Sequence, residues 1–332
     1  MAEDEEGKKS ALNRRPVSIL EASNNKDPYP PENSLRGLAL VLLAVLFWGA
    51  AAPFGKYLIL TRFDTLIITQ MRTSLAFVLL FLYFAISNRK MFRIEIRDLW
   101  EFAVLGIVGL AITNFTYYFT IKESTVATAI LLQYSAPVWV LLYSVWITKE
   151  DKLDWMTVLS LLGALVGCYF AVTSGSPKNL SLKGWALLTG PLSAFTFAYQ
   201  IIVAKKLLKR YSVWTMLLYA LGFAALFWLF INPPWSYIAK NYKVADWGFL
   251  WLFALVSILI PQATFAAGLR LINASKAGIV SILEPVFAIG AAFLILGETL
   301  NIVQVFGGCM VLASIAMLEI HPMIMRKIVK IE

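Results

Sequence analysis

Glu284 stands directly before Pro285 in an apolar stretch, about eight residues or roughly 12 Å of helix from where that stretch begins. A carboxylate in such surroundings is costly to hold and marks a functional position by default. It can bind a cation, carry a proton or contact an amine, and it can equally brace a broken helix. Arg72 is a cation in a second apolar stretch, suited to an anion site or to bracing a carbonyl. Lys56 lies near the end of a third, where snorkelling to an interface explains it. Pro137 and Pro285 sit at equivalent mid-stretch places, where a missing N–H bends a helix, and both read as hinges. Asn114, Tyr117 and Tyr118 share one helical face by their i, i+3, i+4 spacing. Gln133 and Ser281 fall one turn before the two prolines. Together with Trp48, Tyr199, Gln200, Gln262, Phe265 and Glu284, these residues suit a cavity with aromatic walls and neutral hydrogen-bonding groups, a lining fit for an amphipathic, zwitterionic or weakly charged solute. Taken one at a time, each amide or hydroxyl reads as well as a bond between helices.

Several chemistries are excluded. The two cysteines, Cys168 and Cys309, lie inside apolar runs and build neither a disulfide framework nor a thiolate metal site. A single histidine, His321, ends the last run and reads as an interfacial residue, so no histidine metal centre or Ser-His-Asp triad is expected. No Walker A, GxSxG or HExxH pattern is present. The sequence thus points away from an enzyme and from any metal or cofactor.

The elements that must carry these side chains follow from composition. Of 332 residues 59% are hydrophobic and 15% charged, and mean hydropathy is +0.72. At about 20 apolar residues per crossing of roughly 30 Å of hydrocarbon, this supply serves close to ten membrane spans. Uncharged runs at 37–55, 102–121, 124–148, 155–177, 184–204, 211–239, 247–269 and 299–318 are each long enough to cross. Runs 65–88 and 277–297 become so if they hold Arg72 and Glu284. The expected fold class is therefore an all-α polytopic membrane protein with ten transmembrane helices. A soluble protein, a disordered one and a nucleic-acid binder are all excluded. Residues 1–34, acidic then mixed then turn-forming, read as a disordered tail, and 321–332 as a short C-terminal one. With the N-terminus cytoplasmic, twenty-one Lys and Arg fall on the cytoplasmic side against six opposite. Both termini are therefore expected inside, and the net charge of +9 needs no anionic ligand. Trp100, Trp155, Trp185, Trp235 and Trp247 lie near run ends and read as interfacial belts.

The chain also repeats itself weakly at an offset near 148. Thr116 meets Thr264, Lys122 meets Arg270, Pro137-Val138 meets Pro285-Val286 and Glu150 meets Glu298. Asn114 likewise meets Gln262, and the two amides are expected to face one another near a pseudo-twofold axis. Ten spans in two halves, 35–173 and 182–320, make five per half, and an odd number turns the second half over. Inverted halves imply two conformations, open to either side, around a midplane site.

Phe47-Trp48-Gly49 with Pro53-Phe54-Gly55-Lys56, Gln70-Met71-Arg72, Ala136-Pro137-Val138, and Leu283-Glu284-Pro285-Val286-Phe287 leading to Leu296-Gly297-Glu298 carry a resemblance. Over about residues 35 to 320 the chain resembles the EamA-like ten-helix branch of the drug/metabolite transporter superfamily. The resemblance implies a carrier with a central cavity for small metabolites, often moved outward. With the lining above, amino acids or related amphipathic compounds are the expected cargo, and export the expected direction. The expected partners are a small-molecule substrate and the lipid bilayer of the cell membrane, with protons as candidate coupling ion through Glu284. An antiporter of phosphorylated sugars or nucleotide-sugars needs a cluster of cavity cations, and only Arg72 and Lys56 offer themselves. A non-transporting receptor does not need two inverted halves.

Overall fold

The computed structural model describes residues 31–329 apart from 152, 181, 234, 239, 241 and 298, and among these every regular element is helical. Ten stretches are long and apolar enough to cross a membrane. The first five are Asn33–Gly55, Leu66–Ser87, Ile96–Glu123, Val126–Trp146 and Trp155–Thr173. The sixth to tenth are Ala186–Leu208, Val213–Ile231, Val244–Leu271, Ala274–Leu294 and Ile302–Glu319. Residues 1–30 of the expected tail, Glu298, and the side chains of Lys56 and His321 lie outside the described residues. The helix of the first span already begins at Pro31, inside the stretch read as tail. A proline opens a helix well because its missing N–H has no partner in the first turn. The last helix runs on to Val329.

Local chemistry sets the boundaries. Ser212 caps the seventh span by accepting from the Thr215 N–H at 3.0 Å, and Thr125 caps the fourth by accepting from Thr128 at 3.1 Å. Gly297, at φ 67°, closes the ninth span in the left-handed conformation that glycine tolerates. The run expected at 211–239 divides into Val213–Ile231 and a short helix, Trp235–Ile238. The pair Pro233-Pro234 is the reason, since a proline disfavours helix in the residue before it. Trp100, Trp155, Trp185 and Trp235 are exposed at span ends, whereas Trp247 is tucked against the small cluster around Leu250 and Phe253.

Four spans depart from regular helix. The fourth breaks between Val126–Gln133 and Ala136–Trp146, and the ninth between Ala274–Ser281 and Glu284–Leu296. The third contains a π-helical stretch, Leu105–Ile112, and the eighth another, Leu255–Leu259. These are repeat mates at the offset seen in the sequence, and π turns often accompany functional sites.

The halves pack on each other in a pattern that exchanging them reproduces. The first span lies on the eighth and ninth, and the sixth on the third and fourth. The second lies on the seventh, and the fifth on the tenth. Small residues permit the closest approaches. A Cβ on Gly307 would fall 2.4 Å from the Ala171 nitrogen and 2.6 Å from the Gly167 oxygen, and one on Gly49 would fall 2.6 Å from the Phe287 Cβ.

Charges gather at the end of the bundle where the first span begins, hereafter the basic end. Arg210 donates to Asp98 at 2.7 Å and to Glu101 at 2.6 Å, Tyr211 to Asp98 at 2.5 Å, and Lys206 to Glu101 at 3.1 Å. Lys209 pairs with Glu150, Lys276 with Glu319, and the Asn273 amide donates to Asp151 at 2.7 Å. The buried ammonium of Lys205 donates at 2.6 Å to both Leu269 and Ile272 carbonyls, tying the sixth span to the C-terminus of the eighth. At the far end Arg62 pairs with Asp246 at 2.5 Å and Lys240 with Asp64. The Asp64 hydrogen bond holds the Lys240 ammonium above the usual lysine range.

Two outcomes follow for stability in detergent, measured by thermal unfolding. Gly307→Ala drives a methyl group into backbone that cannot yield and should lose about 1–3 kcal/mol, while Gly290→Ala, where a Cβ meets nothing within 4 Å, should cost nothing. Lys205→Met strands two buried carbonyls and should cost about 1–3 kcal/mol, whereas Lys206→Met, at a largely exposed ammonium, should stay within about 0.5 kcal/mol.

Candidate functional site

A cavity of about 1040 Å³ lies between the two halves. Its wall is drawn from the far-end half of nearly every span: Pro53 and Gly55 of the first, Leu66 to Arg72 of the second, Thr113 to Lys122 of the third, Val126 to Tyr134 of the fourth and Glu284 to Ala292 of the ninth. Lys122, Thr299 and Leu300 stand at its mouth. Among the described residues, no wall residue lies among the ion pairs of the basic end.

The two helix breaks form its floor. Beyond the breaks toward the basic end, Ala136–Trp146 packs on Ala274–Ser281, where a Cβ on Gly278 would lie 3.6 Å from Pro137. Toward the mouth the spans part and line opposite walls. The backbone groups freed at each break are satisfied nearby: Ser135 N–H bonds Leu132 O at 3.2 Å, and Ile282 N–H bonds Ile279 O at 3.1 Å. Glu284 opens the second piece of the ninth span, in the first turn where the helix dipole favours an anion. Its carboxylate accepts a hydrogen bond from the Tyr134 hydroxyl across the break of the fourth span.

Arg72 also lines the cavity. Its guanidinium donates to the Asn114 side-chain oxygen, and its Cζ lies 5.6 Å from the Tyr118 ring centroid. Its Nε is buried without a hydrogen-bond partner. The Asn114 amide nitrogen in turn donates to Leu110 O at 2.6 Å, within the π-helical stretch of the third span. That stretch is where the register shifts to bring Asn114 round to the arginine. Arg72 and Glu284 make no direct ion pair with each other; each is met instead by a neutral partner, Asn114 and Tyr134. A third polar pair, Gln200 with Gln262 at 3.4 Å, adds neutral donors and acceptors.

The cavity wall includes Trp48, Asn114, Tyr117, Tyr118, Gln133, Gln200, Gln262, Glu284 and the hinge residue Pro285 from the set read in the sequence. Four of that set are placed elsewhere. Tyr199 is off the wall, because neighbours on a helix point about 100° apart and Gln200 takes the cavity side. Phe265 backs the wall from behind, its ring 5.3 Å from that of Trp48 and only 2% exposed. Ser281 is fully buried, its hydroxyl spent on the Gly278 carbonyl at 2.6 Å. Pro137 packs against Gly278 and does not reach the cavity. The repeat mates Asn114 and Gln262 both lie on the wall, Asn114 bonded to Arg72 and Gln262 to Gln200. Tyr134 was missed altogether. Its signal was its place, three residues before Pro137 and thus inside the break.

Comparisons with known proteins agree with this architecture. The EamA-like transporter family model matches the chain twice, at residues 35–173 and 184–320. An uncharacterized inner membrane transporter of Salmonella typhimurium, YicL, is 24% identical over 290 residues, covering 86% of this chain and 95% of that protein. An uncharacterized transporter of Archaeoglobus fulgidus is 29% identical over 215 residues, covering 63% of this chain and 74% of that protein. One crystal structure shares the fold with a TM-score of 0.69 at 15% identity, covering 85% of this chain and 96% of that one. Each matched half holds five of the ten spans, and the chain belongs to the EamA-like transporter family, as an integral multi-pass membrane transporter.

Proposed function

We propose that this transporter carries small zwitterionic or amphipathic metabolites, amino acids or their relatives, outward across the cell membrane by alternating access. The observation that carries the reading is the cavity itself: one guanidinium, Arg72, and one carboxylate, Glu284, unpaired with each other on the wall of a single space of about 1040 Å³. A solute with a carboxylate and an ammonium complements that pair, and Trp48, Tyr117 and Tyr118 suit its apolar part. An odd number of spans per half supports an inverted arrangement, which supplies the second, oppositely open state. By the distribution of Lys and Arg the basic end is cytoplasmic, and the cavity then faces outside in this conformation. Glu284 is the natural proton carrier if transport is coupled to protons. An antiporter of phosphorylated sugars would ask for several cations at depth, and among the described wall residues Arg72 is joined only by Lys122 at the mouth.

Counterflow of a labelled amino-acid panel in proteoliposomes tests the reading. Saturable exchange of at least one amino acid is expected, and folded protein that moves none of them overturns it. Arg72→Gln should raise KM about tenfold or more, the size expected for losing a charge-assisted hydrogen bond. With proton coupling, Glu284→Gln abolishes the response to a pH gradient while exchange persists, and an unaltered response removes Glu284 from that role.

A further inference from the structure

Glu284 is poised between two partners, and only one of them belongs to the protein. Its carboxylate faces the cavity, yet one oxygen accepts from the Tyr134 hydroxyl. Tyr134 is held in place on its other sides: it is 4% exposed and its ring meets Phe197 of the sixth span edge-on, with centroids 6.4 Å apart. The two residues sit at the breaks of repeat-mate spans, Tyr134 directly after Val126–Gln133 and Glu284 at the start of Glu284–Leu296. The bond therefore joins the two halves at the point where their fourth helices part, directly above the packed pieces that close the basic end. A Cβ added at Gly278 would meet Pro137 only at 3.6 Å, an ordinary contact distance, so the glycine leaves the two helices just below with no interlocking side chain there. At this crossing the hydroxyl-to-carboxylate bond is the polar tie within the spans, with Asn273 to Asp151 a second one nearer the basic end.

We propose that Tyr134 is a positioning residue that latches the empty carrier, and that a cationic group of a solute releases the latch by taking the Glu284 carboxylate. The proposal rests on the transporter's carrying solutes that bear an ammonium group. With the cavity empty, the Tyr134 bond holds the fourth span to the ninth and keeps the basic end shut, so the carrier turns inward only with a solute on Glu284 and outward movement of one solute is exchange for another. An ammonium at Glu284 supplies a stronger, charged partner for the same oxygens, and the tie to the fourth span loosens only when the cavity is occupied. Occupancy and reorientation are linked in this way through one hydrogen bond, because a ligand shifts a two-state equilibrium only by what it binds differently in the two states.

The test is a spin-label distance measurement on the full chain in proteoliposomes, across the basic end. Labels go on Thr148→Cys and Arg270→Cys, both exposed there, in a Cys309→Ser background that leaves the buried Cys168 in place. Without any solute, Tyr134→Phe should raise the population with a long separation about tenfold over the parent. Tyr199→Phe, which removes a hydroxyl from the neighbouring span off the cavity wall, should leave it unchanged. Equal distributions for Tyr134→Phe and the parent overturn the latch, as does an equal opening by Tyr199→Phe. Added 2-phenylethylammonium should move the parent distribution toward that of Tyr134→Phe and leave Tyr134→Phe itself where it is; no movement in the parent overturns the release step. Thermal unfolding of each variant within a few degrees of the parent separates opening from misfolding. The first comparison needs no substrate, so a failure of amino-acid counterflow rejects the proposed cargo without touching the latch.

Discussion

Hydrocarbon offers a backbone no hydrogen-bond partner, and everything distinctive in this structure is an accommodation to that fact. Ten spans satisfy their N–H and C=O groups internally as helices. The four departures from regular helix, two breaks and two π-helical stretches, lie where the halves meet around the cavity, with their freed groups bonded within a turn. Irregular backbone is tolerable there because it faces protein or water and never lipid. The same concession gives the site its chemistry, since the breaks bring Tyr134 and Glu284 together and the π-helical stretch turns Asn114 toward Arg72.

The contacts that join the halves are of two kinds with different consequences. Gly167 against Gly307 and Gly49 against the ninth span bring backbones together through fixed atoms, so these contacts can only translate or rotate as bodies. The basic end is closed instead by side chains such as Arg210, Lys206 and Lys209, which are partly exposed and whose ion pairs are individually weak. The lysines are the weak members, while the buried carboxylates of Asp98 and Glu101 are each held by two donors. A bundle assembled this way has stiff helices, a rigid fifth-to-tenth seam and a basic end held together by side chains.

The site combines opposite demands on polarity. Arg72 and Glu284 are tolerable in the membrane interior because each has a protein partner, Asn114 with Tyr118 for the first and Tyr134 for the second. Each partner satisfies its charge only in part: the Arg72 Nε is left without a bond and Glu284 receives one side-chain donor. Partial satisfaction leaves each charge with spare hydrogen-bonding capacity on the cavity wall without leaving it bare.

Much of the fold was legible in the chain because the constraints that set it are one-dimensional. Span number follows from the length of hydrocarbon to be crossed, the repeat from an offset near 148, and the break sites from Pro137 and Pro285, whose missing N–H acts locally wherever the helix packs. Intramembrane Glu284 and the amides Asn114, Gln200 and Gln262 stood out because polar groups in apolar runs need a reason. Which face of each span meets the cavity was not legible, since a membrane helix is apolar on its lipid side and its protein side alike and carries no periodicity to tell them apart. Whether Tyr199 or Gln200, Ser281 or Glu284, faced the cavity could therefore not be read, and neither could the partners Tyr134 for Glu284 and Gln262 for Gln200. Those choices belong to the tertiary structure, because they depend on how one half rotates against the other, and that rotation is set by close backbone contacts such as Gly167 with Gly307 that no local pattern reveals.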